Sequence, residues 1–216
     1  MFKKVQIMLI IISAVCLTLS AAEKYAILIA GDYTAEGIAV EQQWNEGLGD
    51  NTEFWNDLYL QWEMLYKKDY KPENIKVLFA HGTDLWKVDG FQYIDPRYRA
   101  VNVTYDPTST IVNYPATTTG LNSAISEIPS TSDDFLYVWV MSHSSSGSIY
   151  LMKDDLSGNV AVPFTTFANY FKPLNALNKV YWLNMNYAKN LEIQLQQDNA
   201  VIINSRKSLG TVTENK

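Results

Sequence analysis

Five short apolar runs, each followed by polar or glycine residues, constrain the fold of this chain more than any other feature. They lie at residues 25–30, 75–80, 135–141, 180–183 and 200–203. A nearly continuous apolar run of this length is typical of a strand that is buried on both faces of a sheet. Segments with helical periodicity separate the runs, and this alternation favours parallel strands. The sequence therefore predicts an α/β fold of three α-β-α layers, a mostly parallel sheet with helices on both faces.

The strongest helical pattern follows Asp50 and Thr52, either of which is a suitable N-terminal cap. Apolar side chains then recur at the spacing of one helix face, and they are Phe54, Trp55, Leu58, Trp62, Leu65 and Tyr66. Shorter helices are predicted over residues 117–128, 164–171 and 191–197. Together these helices supply the layers that a sheet buried on both faces requires.

Two regions have no clear periodicity, residues 31–51 and 81–116. A loop as long as the second is usually functional or an embellishment of the fold. Two short extended pieces are predicted at residues 148–152 and 160–162, on either side of a polar turn.

The polar turn resembles the start of a calcium-binding loop, with Asp155-Leu156-Ser157-Gly158-Asn159. The position where a bidentate Glu should close such a loop is Thr166, so the segment is interpreted as a turn. The sequence also contains no Gly-rich phosphate loop and no cluster with metal-ligand spacing. We therefore expect neither a cofactor nor a metal.

The N-terminus has the pattern of a secretory signal peptide. Lys3 and Lys4 form a positive region, residues 8–19 are mostly apolar, and Ser20-Ala21-Ala22 supplies small residues for cleavage after Ala22. The expected organisation is a signal peptide at 1–22 and one domain at 23–216, in a secreted or periplasmic protein. Two alternatives are an uncleaved membrane anchor and a lipoprotein that uses Cys16, although Val15 is larger than the residue that a lipoprotein signal prefers.

Charge and cysteine content exclude several classes of function. The chain has 17 Lys and Arg against 23 Asp and Glu, and removal of Lys3 and Lys4 with the leader would change its formal charge from −6 to −8. Such a charge argues against nucleic acid and anionic membrane surfaces as partners after cleavage. The only cysteine is Cys16, so the cleaved chain would have no thiol nucleophile. Asn102-Val103-Thr104 matches a glycosylation acceptor, which matters only in a eukaryote.

The candidate functional residues follow the ends of the predicted strands, where ligands bind in parallel sheets. The third run ends in Ser142 and His143, which precede the small and flexible segment Ser144 to Gly147, and His81 follows the second run. Either histidine could serve as a general base, or could simply hydrogen-bond a loop carbonyl. The serines beside His143 favour a flexible polar loop, because neighbours on one loop rarely reach the geometry of a nucleophile and its base.

The order and spacing of several segments resemble the caspase and legumain group of cysteine peptidases, and most closely its legumain-like members. These segments are residues 24–31, 71–75, 133–143, 179–183 and 199–205. They span most of the cleaved chain in the right order. The resemblance implies a caspase-like fold and a peptidase ancestry.

The resemblance assigns three positions, and two of them depart from the family pattern. In that family the third strand presents His-Gly, and the fourth ends near Glu-x-Cys-x-Ser-Gly, where the cysteine attacks the peptide carbonyl and backbone N–H groups bind the oxyanion. His143 matches the histidine, Ser144 stands at the glycine, and Asn186 stands at the nucleophilic cysteine. Related enzymes also continue with a sixth strand, so the sheet is expected to be truncated after its fifth.

These departures predict an exported peptidase homologue without peptidase activity, which binds a peptide or protein or has a structural role. The alternative is an active hydrolase that uses His143 with Ser142, Ser144 or Ser145 as the nucleophile. A further alternative is that Asn186 records a degenerated catalytic cysteine. The oligomeric state is left open, because an exposed fifth strand could pair with a second copy.

Overall fold

The computed structural model describes five ranges of the chain, which are residues 22–31, 50–80, 82–84, 110–129 and 134–204, without the side chains of residues 50–53. These ranges contain strands β1 (Lys24–Ala30), β2 (Ile75–Phe79), β3 (Phe135–Met141), β4 (Ser148–Met152), β5 (Asn159–Pro163), β6 (Asn178–Asn184) and β7 (Ala200–Asn204). The helices are α1 (Asp50–Tyr66), α2 (Thr118–Ser126), α3 (Phe164–Phe171) and α4 (Ala188–Leu195), with a short 3-10 helix at Pro72–Asn74.

Five strands form one sheet in the order β2-β1-β3-β6-β7, and every pair in it is parallel. The prediction of an α/β fold with a mostly parallel sheet is thereby confirmed. All five predicted runs are strands of this sheet. The remaining strands, β4 and β5, form a separate antiparallel hairpin.

Side chains of β1, which lies between β2 and β3, alternate between two apolar layers. Ala26, Leu28 and Ala30 pack with α1, whereas Ile27 and Ile29 pack on the opposite side with α2, α3 and α4. All five side chains are at most 1% exposed. Helices therefore cover both faces, and this is why the strand is apolar at every position instead of at every second one.

The first helix covers one face of the sheet through the residues that the sequence pattern predicts. Five of its six predicted core residues are buried, and the sixth, Tyr66, is half-buried. Trp62 stacks on Tyr66 with ring centroids 5.3 Å apart, and Trp55 contacts Phe79 of β2 at 5.0 Å. The aromatic residues of this chain thus form much of the layer between α1 and the sheet.

Two helices differ in length from their predictions. Helix α2 ends at Ser126 rather than near residue 128, and its N-terminal cap is Thr117, whose hydroxyl accepts a hydrogen bond from Gly120 N at 2.9 Å. Helix α4 begins at Ala188, three residues before the predicted start. Its buried face includes Ala188 as well as Leu191, and a lone alanine is a weak signal of periodicity.

The polar turn predicted at 155–159 joins the two strands of the hairpin. Asp155 Oδ1 accepts hydrogen bonds from Ser157 N at 2.9 Å and from its hydroxyl at 2.6 Å. Leu156 and Gly158 both have positive φ, at 59° and 141°. These bonds hold the Asp155 side chain within the turn and lower the pKa of its carboxyl.

Strand β7 is the last strand of the described sheet and is less buried than the others. Val201 and Ile203 are 59% and 41% exposed, on the side of the sheet that α3 and α4 do not cover. Residues 205–216 lie outside the described part, so the expected truncation after the fifth strand stays a prediction.

Several predictions fall outside the described residues. These are residues 1–21 of the signal peptide expected at 1–22, His81 and the acceptor Asn102. Among the residues that the structure does describe, no helix is both long and apolar enough to span a membrane.

Candidate functional site

Parallel register brings the ends of three strands together at one edge of the sheet. Ala30 at the end of β1 is paired with Met141 at the end of β3, and Met141 is paired with Asn184 at the end of β6. The segments that begin at Gly31, Ser142 and Met185 therefore leave the sheet side by side. This is the edge at which α/β folds bind their ligands.

Gly31 allows the first of these segments to pass close to the second. Gly31 N donates a hydrogen bond to Met141 O at 3.0 Å. A Cβ atom at residue 31 would lie 2.5 Å from Ser142 Oγ and 2.6 Å from Tyr150 O, which is closer than such atoms approach. The absence of a side chain is thus required for β1 to end where it does.

Ser142, the residue before His143, connects the end of β3 with β4. It is only 4% exposed, and its hydroxyl donates a hydrogen bond to Tyr150 O at 2.6 Å. The backbone carbonyl of His143 accepts a hydrogen bond from Tyr150 N at 3.0 Å. The segment after β3 is therefore fastened to the first strand of the hairpin, and the Ser142 hydroxyl is directed away from solvent.

The side chain of His143 lies against the first helix. Its ring centroid is 5.6 Å from that of Phe54, with a tilt of 36° between the planes, and the residue is half-buried. Phe54 lies in the N-terminal part of α1, so this contact connects the histidine to the aromatic layer under that helix. One face of the imidazole is thereby covered by an apolar group.

Ser144 and Asn186, which the sequence predicts as site positions, are in direct contact. The Ser144 hydroxyl donates a short hydrogen bond to the backbone carbonyl of Asn186. Ser144 also forms an isolated antiparallel bridge with Ile149 of β4. The structure thus brings the segment after β3 into contact with the segment after β6, at the two positions that the sequence resemblance assigns to the site.

A second hydrogen bond joins the same two segments. Asn190 Nδ2 donates to Ser146 O at 2.6 Å, from the first turn of α4. Between the two contact points lies Tyr187, which is 39% exposed and has a left-handed backbone with φ of 54°. A non-glycine residue in this conformation is uncommon, and here it allows the chain to turn from Asn186 directly into α4.

The chemistry available at this edge is limited by these contacts. Asn186 is an amide, which is not a nucleophile at neutral pH, and the chain has no cysteine after Cys16. The hydroxyls of Ser142 and Ser144 both donate to backbone carbonyls. Among the described residues at this edge, the exposed side chain of Tyr187 and the polar backbone near it are suited to recognition.

Within the described residues, no three His, Cys, Asp or Glu side chains are close enough to hold a metal ion. Asp154, next to the turn that resembles a calcium loop, accepts hydrogen bonds from Thr119 N at 3.1 Å and from the Thr118 hydroxyl at 3.3 Å. These bonds with the start of α2 lower the pKa of the Asp154 carboxyl. Its role in the described structure is to attach the hairpin to that helix.

Sequence reasoning missed three residues that shape this edge, Gly31, Phe54 and Asn190. The glycine at the end of a buried strand was the available signal for the first, because close approach of two backbones requires it. Phe54 was recognised only as part of a helical core face. Asn190 carries no pattern of its own, since its partner is a carbonyl 44 residues away.

Comparisons with known proteins do not assign a family. No protein-family model matches the chain, and a search of curated proteins finds no significant match.

Proposed function

We propose that this chain is an exported relative of the caspase and legumain peptidases that has lost peptidase activity and binds a peptide or protein segment at the carboxyl edge of its sheet. The observation that carries the proposal is the contact between Ser144 and Asn186. These residues stand where the resemblance expects an oxyanion glycine and a nucleophilic cysteine. A hydrogen bond within the protein now joins the two positions.

The contact argues against catalysis for a geometric reason. An oxyanion site needs N–H donors that face an empty position, into which the carbonyl oxygen of a substrate can enter. Here the side chain of Ser144 reaches across to the backbone of Asn186. The additional bond between Asn190 and Ser146 holds the same segments together.

A binding role is supported by the groups that stay accessible at this edge. Tyr187 is 39% exposed, and Ser146 and Gly147 are exposed in the adjacent segment. Tyrosine offers a large apolar face and a hydroxyl at low entropic cost, which is why it is frequent in recognition surfaces. A peptide in extended form could contact this tyrosine and the neighbouring backbone groups.

Absence of activity is tested with mixed fluorogenic peptides that cover all residue types at the cleavage position. We expect no hydrolysis above that of a heat-denatured sample, and the same result for His143→Ala. Hydrolysis by the wild type that is lost in His143→Ala would contradict the proposal.

Treatment with a fluorophosphonate probe tests the alternative of a serine nucleophile, and labelling of Ser142, Ser144 or Ser145 in the folded protein would support that alternative.

Binding is tested by selecting phage-displayed random decapeptides on the immobilised wild type. We expect selected peptides to bind Tyr187→Ser at least tenfold more weakly than the wild type. The control is Ile193→Ser on helix α4, which begins just after Tyr187; the Ile193 side chain is 57% exposed, and the affinity should be unchanged. Equal binding to the wild type, Tyr187→Ser and Ile193→Ser would mean that the peptide binds elsewhere. It would contradict the proposal of a binding site at the carboxyl edge of the sheet.

A further inference from the structure

Glu23, which directly follows the expected cleavage point, is held by four hydrogen bonds. Its backbone N donates to Asp134 Oδ1 at 2.9 Å, and its backbone O accepts from Phe135 N at 3.0 Å. Its carboxylate accepts from Lys71 Nζ at 2.6 Å and from Asn74 Nδ2 at 3.1 Å. The preceding residue, Ala22, is exposed. Glu23, the residue that cleavage would make the first, is therefore held through both its backbone and its carboxylate.

Asp134, the acceptor for Glu23 N, is a buried carboxylate with 5% exposure. It lies immediately before β3, and its backbone O accepts a hydrogen bond from Leu177 N at 2.8 Å. A positive charge beside a buried carboxylate offsets part of the cost of burying it. While Glu23 is joined to Ala22, its backbone N–H donates to Asp134 Oδ1 as a neutral amide.

We propose that removal of the leader between Ala22 and Glu23 creates an N-terminal ammonium that forms an ion pair with the Asp134 carboxylate and locks β1 beside β3. Hydrolysis of the Ala22–Glu23 peptide bond consumes one water and leaves a carboxylate on Ala22. The nitrogen of Glu23 keeps its position 2.9 Å from Asp134 Oδ1 and takes up a proton from solvent. An amide hydrogen bond thereby becomes a charge-assisted one.

The charges around this position favour the new ammonium. The carboxylates of Glu23 and Asp134 lie just before β1 and β3, and Lys71, whose ammonium bonds Glu23, lies in the segment before β2. The carboxylate of Glu73 acts in turn on Lys71. The same charges act on the Tyr25 hydroxyl. Burial and then the Asp134 and Glu23 carboxylates raise the pKa of Tyr25, whereas the Lys71 ammonium lowers it. An added positive charge would offset the carboxylates. This inference depends on the expected signal peptide and is independent of the proposed binding function.

The test compares two forms of the mature protein that differ by one residue. One begins with Glu23, and the other begins with Ala22, so that Glu23 N remains an amide. Urea unfolding at pH 7 is expected to give an unfolding equilibrium constant about tenfold smaller for the Glu23 form, which corresponds to a shift of about one pKa unit of the amine. Asp134→Asn in both forms should abolish the difference. Equal stability of the two wild-type forms would overturn the proposal.

A pH series keeps the test decisive if Asp134→Asn does not fold. Pairing with Asp134 raises the pKa of the terminal amine above its ordinary value of about 8 in the folded state. The advantage of the Glu23 form should therefore be complete below pH 8 and disappear as the pH rises through that raised value. A stability advantage that does not change with pH would contradict an ion pair.

Mass spectrometry of the exported protein should find Glu23 as its first residue, and any other first residue would also overturn the proposal.

Discussion

The Ser144 hydroxyl donates a hydrogen bond to the backbone carbonyl of Asn186, which lies 42 residues further along the chain. This bond joins the segments that follow β3 and β6. Removing it should weaken the connection without leaving a buried cavity, because both residues are half-buried.

We expect Ser144→Ala to lower the free energy of unfolding by about 1 kcal/mol, since the bond joins distant segments and the Asn186 carbonyl would lose its donor. Urea denaturation measures this. The matched control is Ser126→Ala, whose hydroxyl bonds the carbonyl of Ser123 within the exposed surface of α2. Its cost should stay within about 0.5 kcal/mol. Equal costs for the two variants would show that the Ser144 contact contributes no special stability.

Gly31→Ala should destabilise the protein by about 1–3 kcal/mol, because the added methyl group would overlap Ser142 Oγ and Tyr150 O. Thermal unfolding is a suitable measurement. The control is Gly147→Ala, where a Cβ atom has no heavy atom of the described structure within 4 Å. That variant should unfold within about 0.5 kcal/mol of the wild type. A tolerant Gly31→Ala would mean that the ends of β1 and β3 separate easily.

Asn186→Cys is expected to be alkylated by iodoacetamide but not to hydrolyse peptides. The thiol would supply a nucleophile, while Ser144 would still occupy the position of the oxyanion glycine and bond the backbone of residue 186. The double variant Asn186→Cys/Ser144→Gly also removes the Ser144 side chain. Comparing the peptide hydrolysis of the two variants separates the effect of the thiol at residue 186 from the effect of a glycine at residue 144. Peptide hydrolysis by the single variant that His143→Ala abolishes would contradict this expectation.

Lys179 of β6 is 3% exposed, and its Nζ donates to Gln197 Oε1 at 2.8 Å. Burial lowers the pKa of this ammonium below its ordinary 10.5, so the unfolded chain binds more protons there than the folded one. The destabilisation is complete at pH 7 and is relieved as the pH rises towards 10.5. Lys179→Met keeps the aliphatic stem and should raise the free energy of unfolding at pH 7 by up to about 1 kcal/mol.

The pH dependence of that variant provides its control. Wild-type stability should contain a component that increases between neutral pH and 10.5, and Lys179→Met should lack it. Urea denaturation at several pH values measures both. A variant less stable than the wild type at pH 7 would mean that the bond with Gln197 outweighs the cost of burying the charge.

The sheet strands can be predicted from the sequence because burial on both faces leaves a continuous apolar signal. The runs of β1 and β3 show this, and so does the helical spacing of α1. The start of α4 is less predictable, because it depends on the left-handed turn at Tyr187 and on the small residue Ala188. Local pattern contains little information about either.

The candidate site is predictable in position but not in its contacts. Parallel strands must end at the same edge, so sequence order places His143 and Asn186 in neighbouring segments. The bonds from Ser144 and Asn190 connect side chains with backbone carbonyls. Because every residue has a carbonyl, no residue type marks the partner, and only the folded chain identifies it. In the contact between Glu23 and Asp134 the backbone group is the donor N–H, which is likewise not marked by residue type.

The position of β1 has a consequence for how quickly the chain can fold. This first strand lies between β2 and β3, and its partners in β3 come 111 residues later in the chain. The same separation applies to the contact between Glu23 and Asp134. Closing such long loops is slow, because their entropy is lost before the contacts form. During synthesis β1 emerges long before β3 and must wait with its apolar side chains exposed. The chain is therefore expected to depend on chaperones until its second half has been made.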